Sequence, residues 1–408
     1  MTRIAALTVL LTLVAAPARA SLPDLIGLGT RSPALAGLGA ADSDDWEATW
    51  LNPAGLAHAP RRRLTIGYVA VRQRLRLDGA PRPIEPTDGI LIGATLPLPF
   101  GGLLRDRLAI GLGFYYPFGV VNRARDAFPG EPRLALLDDR TQVVSILVSL
   151  GVRLHRRVSL GIGVLALAAL TGEIRIAQDA TGATTTISEQ QLVTSFAPVA
   201  GLRIEAAPWL TVGVALRGES RSSYDIRIKA DLGDLLPFTL PVLRIAGVAQ
   251  YDPLQMAFEG SLRPTRWLRA LVGLTWKHWS AYPNPIENAT EGAAPLPPPE
   301  FHDTVVPRAG LEARLPLDRR HGGRLLALTL RGGYAFEWSP APTGPTRSLL
   351  DASRHVVAGG LGLGWSTRRG GFSGSFDIFG QAHFLDGDGA PRATGRMNAF
   401  GAALGLDL

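Results

Sequence analysis

At 408 residues, with 47 glycines, no cysteine and a formal charge of +7, the chain is long enough for several soluble domains, though a barrel absorbs such a length as one. The absence of cysteine excludes zinc fingers, thiol enzymes and disulfide frameworks. All but Lys229 and Lys277 of its 42 basic residues are arginine, scattered through strand-like segments with no basic run interleaved with aromatics, which excludes a nucleic-acid groove.

The first 20 residues carry Arg3, an apolar run over 4–16 and the sequence Ala18-Arg19-Ala20, the three parts of a secretory signal. Cleavage is expected after Ala20, leaving Ser21 as the mature N-terminus. The run is shorter than the ~20 residues a spanning helix needs, and no later apolar run is long enough. The remaining destinations are the periplasm, the exterior, or an outer membrane crossed by strands.

Residues 35–57, LAGLGAADSDDWEATWLNPAGLA, follow. This stretch is rich in Gly and Ala, carries an acidic cluster at Asp42, Asp44 and Asp45, and ends on a turn at Asn52, Pro53 and Gly55, where proline fixes φ and glycine tolerates positive φ. By local chemistry alone it is a turn ahead of a domain.

Everything beyond reads as strand. Leu108, Ile110, Leu112, Phe114, Tyr116 and Phe118 alternate with Ala109, Gly111, Gly113, Tyr115 and Pro117. Val144 to Leu154 alternate with Ser145, Leu147, Ser149, Gly151 and Arg153, and Phe376, Ile378 and Phe384 with Ser373, Ser375, Asp377, Gln381 and His383. Val305, Ala309 and Leu311 oppose Arg308, Gly310, Glu312 and Arg314. Alternation of this kind also suits a soluble sandwich. Length decides, because many segments reach the ~9–11 residues that cross a bilayer at a tilt. Fourteen strands between residues 62 and 408 leave short connections, as at 155–156, 207–208 and 264–266, alternating with longer ones, as at 119–139, 220–252 and 281–302. That is the pattern of short periplasmic turns and long external loops. Residues 241–251 are strand-like, but counting them would give fifteen and reverse the alternation, so they are assigned to an external loop. The last strand presents Phe400, Leu404 and Leu408 and ends on Leu where assembly signals usually end on Phe. The expected architecture is an all-β transmembrane antiparallel barrel of about fourteen strands: signal peptide 1–20, plug 21–61, barrel 62–408.

The segment 35–57, between an export signal and amphipathic strands, resembles the N-terminal hatch of the FadL family of outer-membrane transporters of long-chain fatty acids and other hydrophobic compounds. Residues 114–119 (FYYPFG), 274–282 (LTWKHWSAY), 303–315 (DTVVPRAGLEARL) and parts of 330–364 are similar to the family in the same order. Within those stretches Arg308, Gly310, Gly333, Tyr334, Arg354 and His355 also fit purely architectural roles. The resemblance implies a hatch-plugged channel that releases cargo sideways into the bilayer, with a kinked third strand at FYYPFG.

The residues agree in part. Inward positions include Leu147, Leu165, Leu167, Leu271 and Phe379, more apolar than the lining of a water-filled porin. Arg308 and Arg314 share the inward phase and could meet a carboxylate. The lateral-exit candidates are Gly111, Gly113, Pro117, Phe118 and Gly119, since proline removes a ladder donor; a bulge or gap is expected beside Gly111 or Gly113. The expected partners are a hydrophobic small molecule, a fatty acid or hydrocarbon, and outer-membrane lipid.

Catalytic signatures are missing. There is no HExxH, GxSxG or P-loop, no histidine at metal-ligand spacing, and Gly37-Leu38-Gly39 lacks the third glycine of a dinucleotide fingerprint. His383 and Asp377 share one strand face about 20 Å apart, too far for a dyad. No cofactor, metal or enzymatic activity is expected. Two other readings stay open: a FadL-like barrel acting as a protein-binding scaffold in secretion, with Pro-rich loops such as 293–301 as the binding surface, and an outer-membrane hydrolase, which needs a Ser/His pair.

Overall fold

The computed structural model describes residues 22–408 except 103–104, 120–132, 135–136, 138–142, 179–183, 232–241, 286–293, 295–296, 318–323, 343–348, 368–372 and 390. The expected signal peptide lies outside the described residues, as do 293, 295 and 296 of the Pro-rich segment 293–301.

Fourteen antiparallel strands close into one barrel. They are β1 Arg63–Leu77, β2 Thr87–Pro97, β3 Leu108–Pro117, β4 Ser145–His155, β5 Val158–Gln178, β6 Thr184–Ala207 and β7 Leu210–Arg217, then β8 Gln255–Leu262, β9 Leu268–Lys277, β10 Thr304–Pro316, β11 Arg324–Glu337, β12 Ser353–Thr367, β13 Ser373–Asp386 and β14 Ala393–Asp407. Each pairs with the next, and β1 closes on β14 from Arg63↔Asp407 to Leu77↔Ala393, so no edge is left within the wall. The side-chain period of two then gives each strand a lumen face and a lipid face. On β4, Ile146, Val148 and Leu150 are exposed outward while Ser145, Leu147 and Ser149 are buried inward. The same holds for Leu112 against Tyr115 and for Phe376 and Ile378 against Phe379 and Gln381. Because the outward side chains are apolar around the circumference, the exterior suits hydrocarbon.

Two features depart from the sequence reading. Residues 241–251 are a strand, Leu243–Asp252, paired with Ser220–Asp231 in a hairpin. The hairpin adds parallel to the end of β5 from Tyr224↔Leu170 to Asp231↔Ala177, beyond where β4 pairs with it, so it stays out of the barrel count and the loop alternation survives. Secondly, the ladders of β3 run unbroken past Gly111 and Gly113 on both sides, so the expected bulge there is absent. The wall's register shifts fall instead at Arg153/His155 and Glu205/Ala207, next to short turns.

Candidate functional site: the hatch and the lumen wall

Residues 22–58 lie inside the barrel as short helical pieces: α1 Leu22–Ile26, α2 Arg31–Ala34, α3 Ala48–Leu51 and a 3-10 turn Pro53–His58. None is long enough to be stable alone, so side chains hold the segment together. The Glu47 carboxylate accepts the backbone N–H groups of Thr30 (2.8 Å), Arg31 (2.9 Å) and Ser32 (2.9 Å), tying the start of α2 to α3. Gly29, at φ +80°, leaves the space that carboxylate fills. Asn52 caps the 3-10 turn by accepting from Ala54 N (3.1 Å) and donates to Ala40 O (2.6 Å) and to Leu202 O of β6 (3.0 Å). Pro53 sits at the first position of that turn, where its missing N–H costs nothing. Burial, reinforced by neighbouring carboxylates, raises the Glu47 carboxyl to about 8 and Asp45 to about 6.

The wall meets this segment in two ways. Six consecutive strands each present an inward glycine to hatch atoms: Gly93 to Trp46, Gly111 to Thr49 and Leu56, Gly151 to Pro53 and Ala57, Gly161 to Pro53 and Ala54, Gly201 to Asn52, and Gly213 to Ala40 and Ala41. A Cβ at Gly151 would lie 2.6 Å from Pro53 O and 2.7 Å from Ala57 N, so the hatch backbone could not stay where it is. From β8 onward polar contacts are added to the packing. Glu259 accepts from Gly39 N (2.9 Å), and Lys277 bridges Asp24 (3.1 Å) and Glu337 (2.8 Å). Arg31 reaches Glu312 (2.8 Å) and Asp42 (3.0 Å), while Arg331 links Glu312 (2.9 Å) to Asp377 (2.7 Å). Gln381 donates to Ile26 O (2.8 Å) and Pro33 O (2.7 Å). Burial opposes the Asp42 carboxylate, but Arg31 and Arg269 hold its pKa below the ordinary value.

The hatch candidates therefore divide. Asp42 is fully engaged by Arg31, Arg269 and Ser261, and Asn52, Pro53 and Gly55 are buried against the wall or the hatch itself. Asp44 is exposed, and with Asp45 it faces a vestibule of about 1510 Å³ at the short-turn end. Of the binding candidates, Leu147, Leu165, Leu167 and Phe379 come together in one apolar cluster with Leu22, Ile26, Trp46 and Trp50 of the hatch. Arg308 donates to Ala36 O (3.0 Å) and lines a cavity of only about 30 Å³, room for about one water. Arg314 lines the vestibule instead. Among the exit candidates, Gly111 and Gly113 face Thr49, whereas Phe118, after the strand end, is exposed beside Tyr68 and Gly119 turns the chain at φ +80°.

Glu47, Arg31, Asp24, Glu259, Lys277 and Glu337 were not singled out from sequence. For Glu259, Lys277 and Glu337 a signal was available, since charged residues at inward phase in a lipid-facing wall need partners; the hatch residues Glu47, Arg31 and Asp24 carried none. A Ser/His pair also exists, with His58 Nε2 2.9 Å from Ser159 Oγ and His58 Nδ1 3.6 Å from Glu205. It is a latch for the end of the hatch. Ser159 is fully buried, and burial together with Arg203 and Arg153 lowers His58 to about 3, leaving it a poor base beside a nucleophile no substrate can reach.

These features define a transmembrane β-barrel with its lumen filled by its own N-terminal segment. The fold is that of the FadL family: the chain is similar to a Pseudomonas aeruginosa FadL homologue (15% identity over 93% of this chain and 97% of that one, TM-score 0.57), to the Ralstonia pickettii toluene transporter TbuX (14%, 94% and 99%, TM-score 0.57) and to the monoaromatic hydrocarbon channel CymD (14%, 94% and 98%, TM-score 0.55). At these identities the likeness is one of fold. No family model and no curated protein matches the sequence.

Proposed function

We propose that the protein is an outer-membrane channel for uptake of small hydrophobic molecules, exported by residues 1–20, closed by a hatch over 21–61 and releasing its cargo sideways through the wall. The observation that carries this reading is the apolar arc of the lumen. Phe379, Met397, Val69, Leu91, Tyr115, Leu147 and Leu165, from β13 round to β5, face inward where a porin would present charge to water. The hydrocarbon and toluene channels of the same fold support the substrate class. Most cations beside the hatch are already engaged: Lys277, Arg31, Arg331 and Arg354 with carboxylates, Arg308 with Ala36 O and Arg217 with Gln255, while the buried Arg203 keeps Nε and Nη1 without a hydrogen-bond partner among the described residues. Away from Arg203 a fatty-acid carboxylate would have to displace one of these partners, which favours an uncharged hydrocarbon as cargo.

A lateral exit is supported at the outer end of β3. Its ladder with β4 stops at Tyr115↔Ser145, so Tyr116 and Pro117 have no ladder partner on that side among the described residues, while Pro117 still aligns with Gly89 of β2. A hydrophobic molecule gains nothing by entering aqueous periplasm, and a break beside proline is where a wall opens at least cost. Uptake of labelled toluene and oleate by cells carrying wild type or Gly113→Val/Pro117→Thr tests both points. Toluene uptake is expected in wild type and lost in the correctly assembled double variant. Unchanged toluene uptake by that variant sinks the exit, and oleate uptake without toluene uptake reverses the substrate assignment.

A further inference from the structure

The lipid face of the β14–β1 seam carries a group of cations that the channel reading does not use. On β1, Arg72, Arg74 and Arg76 occupy successive outward positions beyond Ile66 and Tyr68. Arg74 lies directly across from Arg396 of β14, and Arg396 lies across from Phe384 of β13. Like charges paired across a ladder repel, with Cα atoms about 4.5–5.5 Å apart. Among the described residues, Arg74, Arg76 and Arg396 have no ion-pair partner. Asp88, on the same face, is already held by Arg72 (2.7 Å) and by the Tyr68 hydroxyl. Aromatic rings fix the cations in place: the Arg396 guanidinium stands 4.5 Å from the Phe384 ring centre and that of Arg72 5.8 Å from Phe400. Immediately below, towards the middle of the barrel, the exposed side chains are Ile66, Tyr68, Phe400 and Leu404.

We propose that this seam is a binding site for a phosphorylated lipid of the leaflet on the long-loop side, with Arg74, Arg76 and Arg396 gripping its phosphate and the apolar side chains below taking its acyl chains. An anion between Arg74 and Arg396 turns their repulsion into two charge-assisted contacts, and guanidinium is the group whose fork matches phosphate oxygens. The placement of the cations settles the geometry. They sit at the upper border of the apolar belt, where headgroups lie, and they point outward into lipid, not up into the loops. The ligand chemistry is a phosphate carrying several acyl chains, which a lipopolysaccharide or an anionic phospholipid can supply.

The inference rests on the membrane placement proposed above but not on transport, and its test does not read uptake. Delipidated full-length protein in detergent is incubated separately with lipopolysaccharide, phosphatidylglycerol and phosphatidylethanolamine, and retained lipid is weighed by native mass spectrometry. Wild type is expected to retain lipopolysaccharide, and Arg74→Gln/Arg396→Gln to bind it roughly a hundredfold more weakly or worse, the loss expected from two charge-assisted contacts. Arg156→Gln/Arg157→Gln, in the β4–β5 turn at the opposite rim, is expected to behave as wild type. Heat-modifiable gel mobility checks that each variant has folded, and Arg76→Gln alone gives a milder variant if the double one fails to assemble. Retention of phosphatidylglycerol that the double variant loses supports the site and assigns a phospholipid to it. Equal retention by wild type and a folded variant, or no phosphorylated lipid held by wild type, overturns the proposal.

Discussion

The hatch is held by two unlike arcs of one wall. From β2 to β7 the barrel offers six glycines and lets the hatch backbone come into direct contact; from β8 to β13 it offers Glu259, Lys277, Glu312, Arg331, Glu337 and Gln381. β10 to β12 also carry Gly310, Gly333 and Gly360 against residues 34–38, but there charges accompany them. Close packing of backbone on backbone works at any pH and salt and is lost steeply with distance. Buried ion pairs are exchangeable: a competing charge, a proton or water can replace a partner. The difference assigns separate tasks. The glycine arc seats the hatch backbone by packing alone, and the charged arc adds contacts whose strength depends on ionisation.

The most drastic way to break this arrangement is to remove what both arcs hold. Deleting residues 26–56 is expected to convert a closed barrel into an open pore, because a fourteen-stranded lumen is too wide for wall side chains to fill. Planar-bilayer recordings check this, and the same conductance with and without the segment would show that the hatch is not the seal. Breaking the charged arc alone is the next step down. Glu312→Gln leaves Arg31, Arg269 and Arg331 without the carboxylate they share. Removing one partner of such a buried network costs about 3–5 kcal/mol, so the hatch should become protease-sensitive while the barrel stays folded. A hatch as resistant as wild type would place its hold in the glycine arc.

A pH series sharpens the comparison further. Burial raises the Glu47 carboxyl from its ordinary 4.5 to about 8, and Asp45 to about 6. A carboxyl that binds its proton more tightly when packed contributes stability below its ordinary pKa and loses it as pH rises through the packed value. The hatch should therefore loosen between pH 5 and about 8, an effect of a few kcal/mol at most. Fluorescence of Trp46 and Trp50 during urea titration, in a background where the other six tryptophans are replaced by phenylalanine, reads it. In Glu47→Gln the upper part of the slope should flatten; a pH-independent wild type would remove Glu47 as its cause.

The barrel was legible because β-strands in lipid advertise both faces: Val148 against Ser149, or Phe376 against Asp377, gives the phase and hence the wall. The strand Leu243–Asp252 was assigned to an external loop because alternation marks a strand without saying which ladder it joins. Inward charges such as Glu312 and Asp377 could be read from phase, but their partners could not, since Arg31 meets Glu312 only once the hatch is threaded through the lumen. Glu47 was hidden for a similar reason. It follows Asp44 and Asp45, and only folding separates an exposed Asp44 from a buried Glu47 that caps another helix. Gly111 and Gly113 were read for what they do to their own ladder, whereas Gly111 serves a neighbour across the lumen.

That last point yields the smallest and most discriminating prediction. Gly113 and Gly151 sit on adjacent strands and both point inward. A Cβ at Gly113 would lie 3.4 Å from Leu147 and Thr49, an ordinary contact, whereas at Gly151 it would press on backbone atoms of the hatch at 2.6 and 2.7 Å. Gly151→Ala should cost about 1–3 kcal/mol through overpacking, seen as a lower hatch-release midpoint in urea. Gly113→Ala should stay within about 0.5 kcal/mol, because strain is nearly absent and the less flexible unfolded chain offsets what remains. Equal losses at the two positions would mean that these glycines serve the wall's own pairing, and the seat would then have to be sought in the charged arc. An unequal result fixes the β4 glycine as part of the seat and shows that Gly113 has room for one methyl, so that the effect on uptake of Gly113→Ala with Pro117→Thr belongs to the exit and not to the hatch.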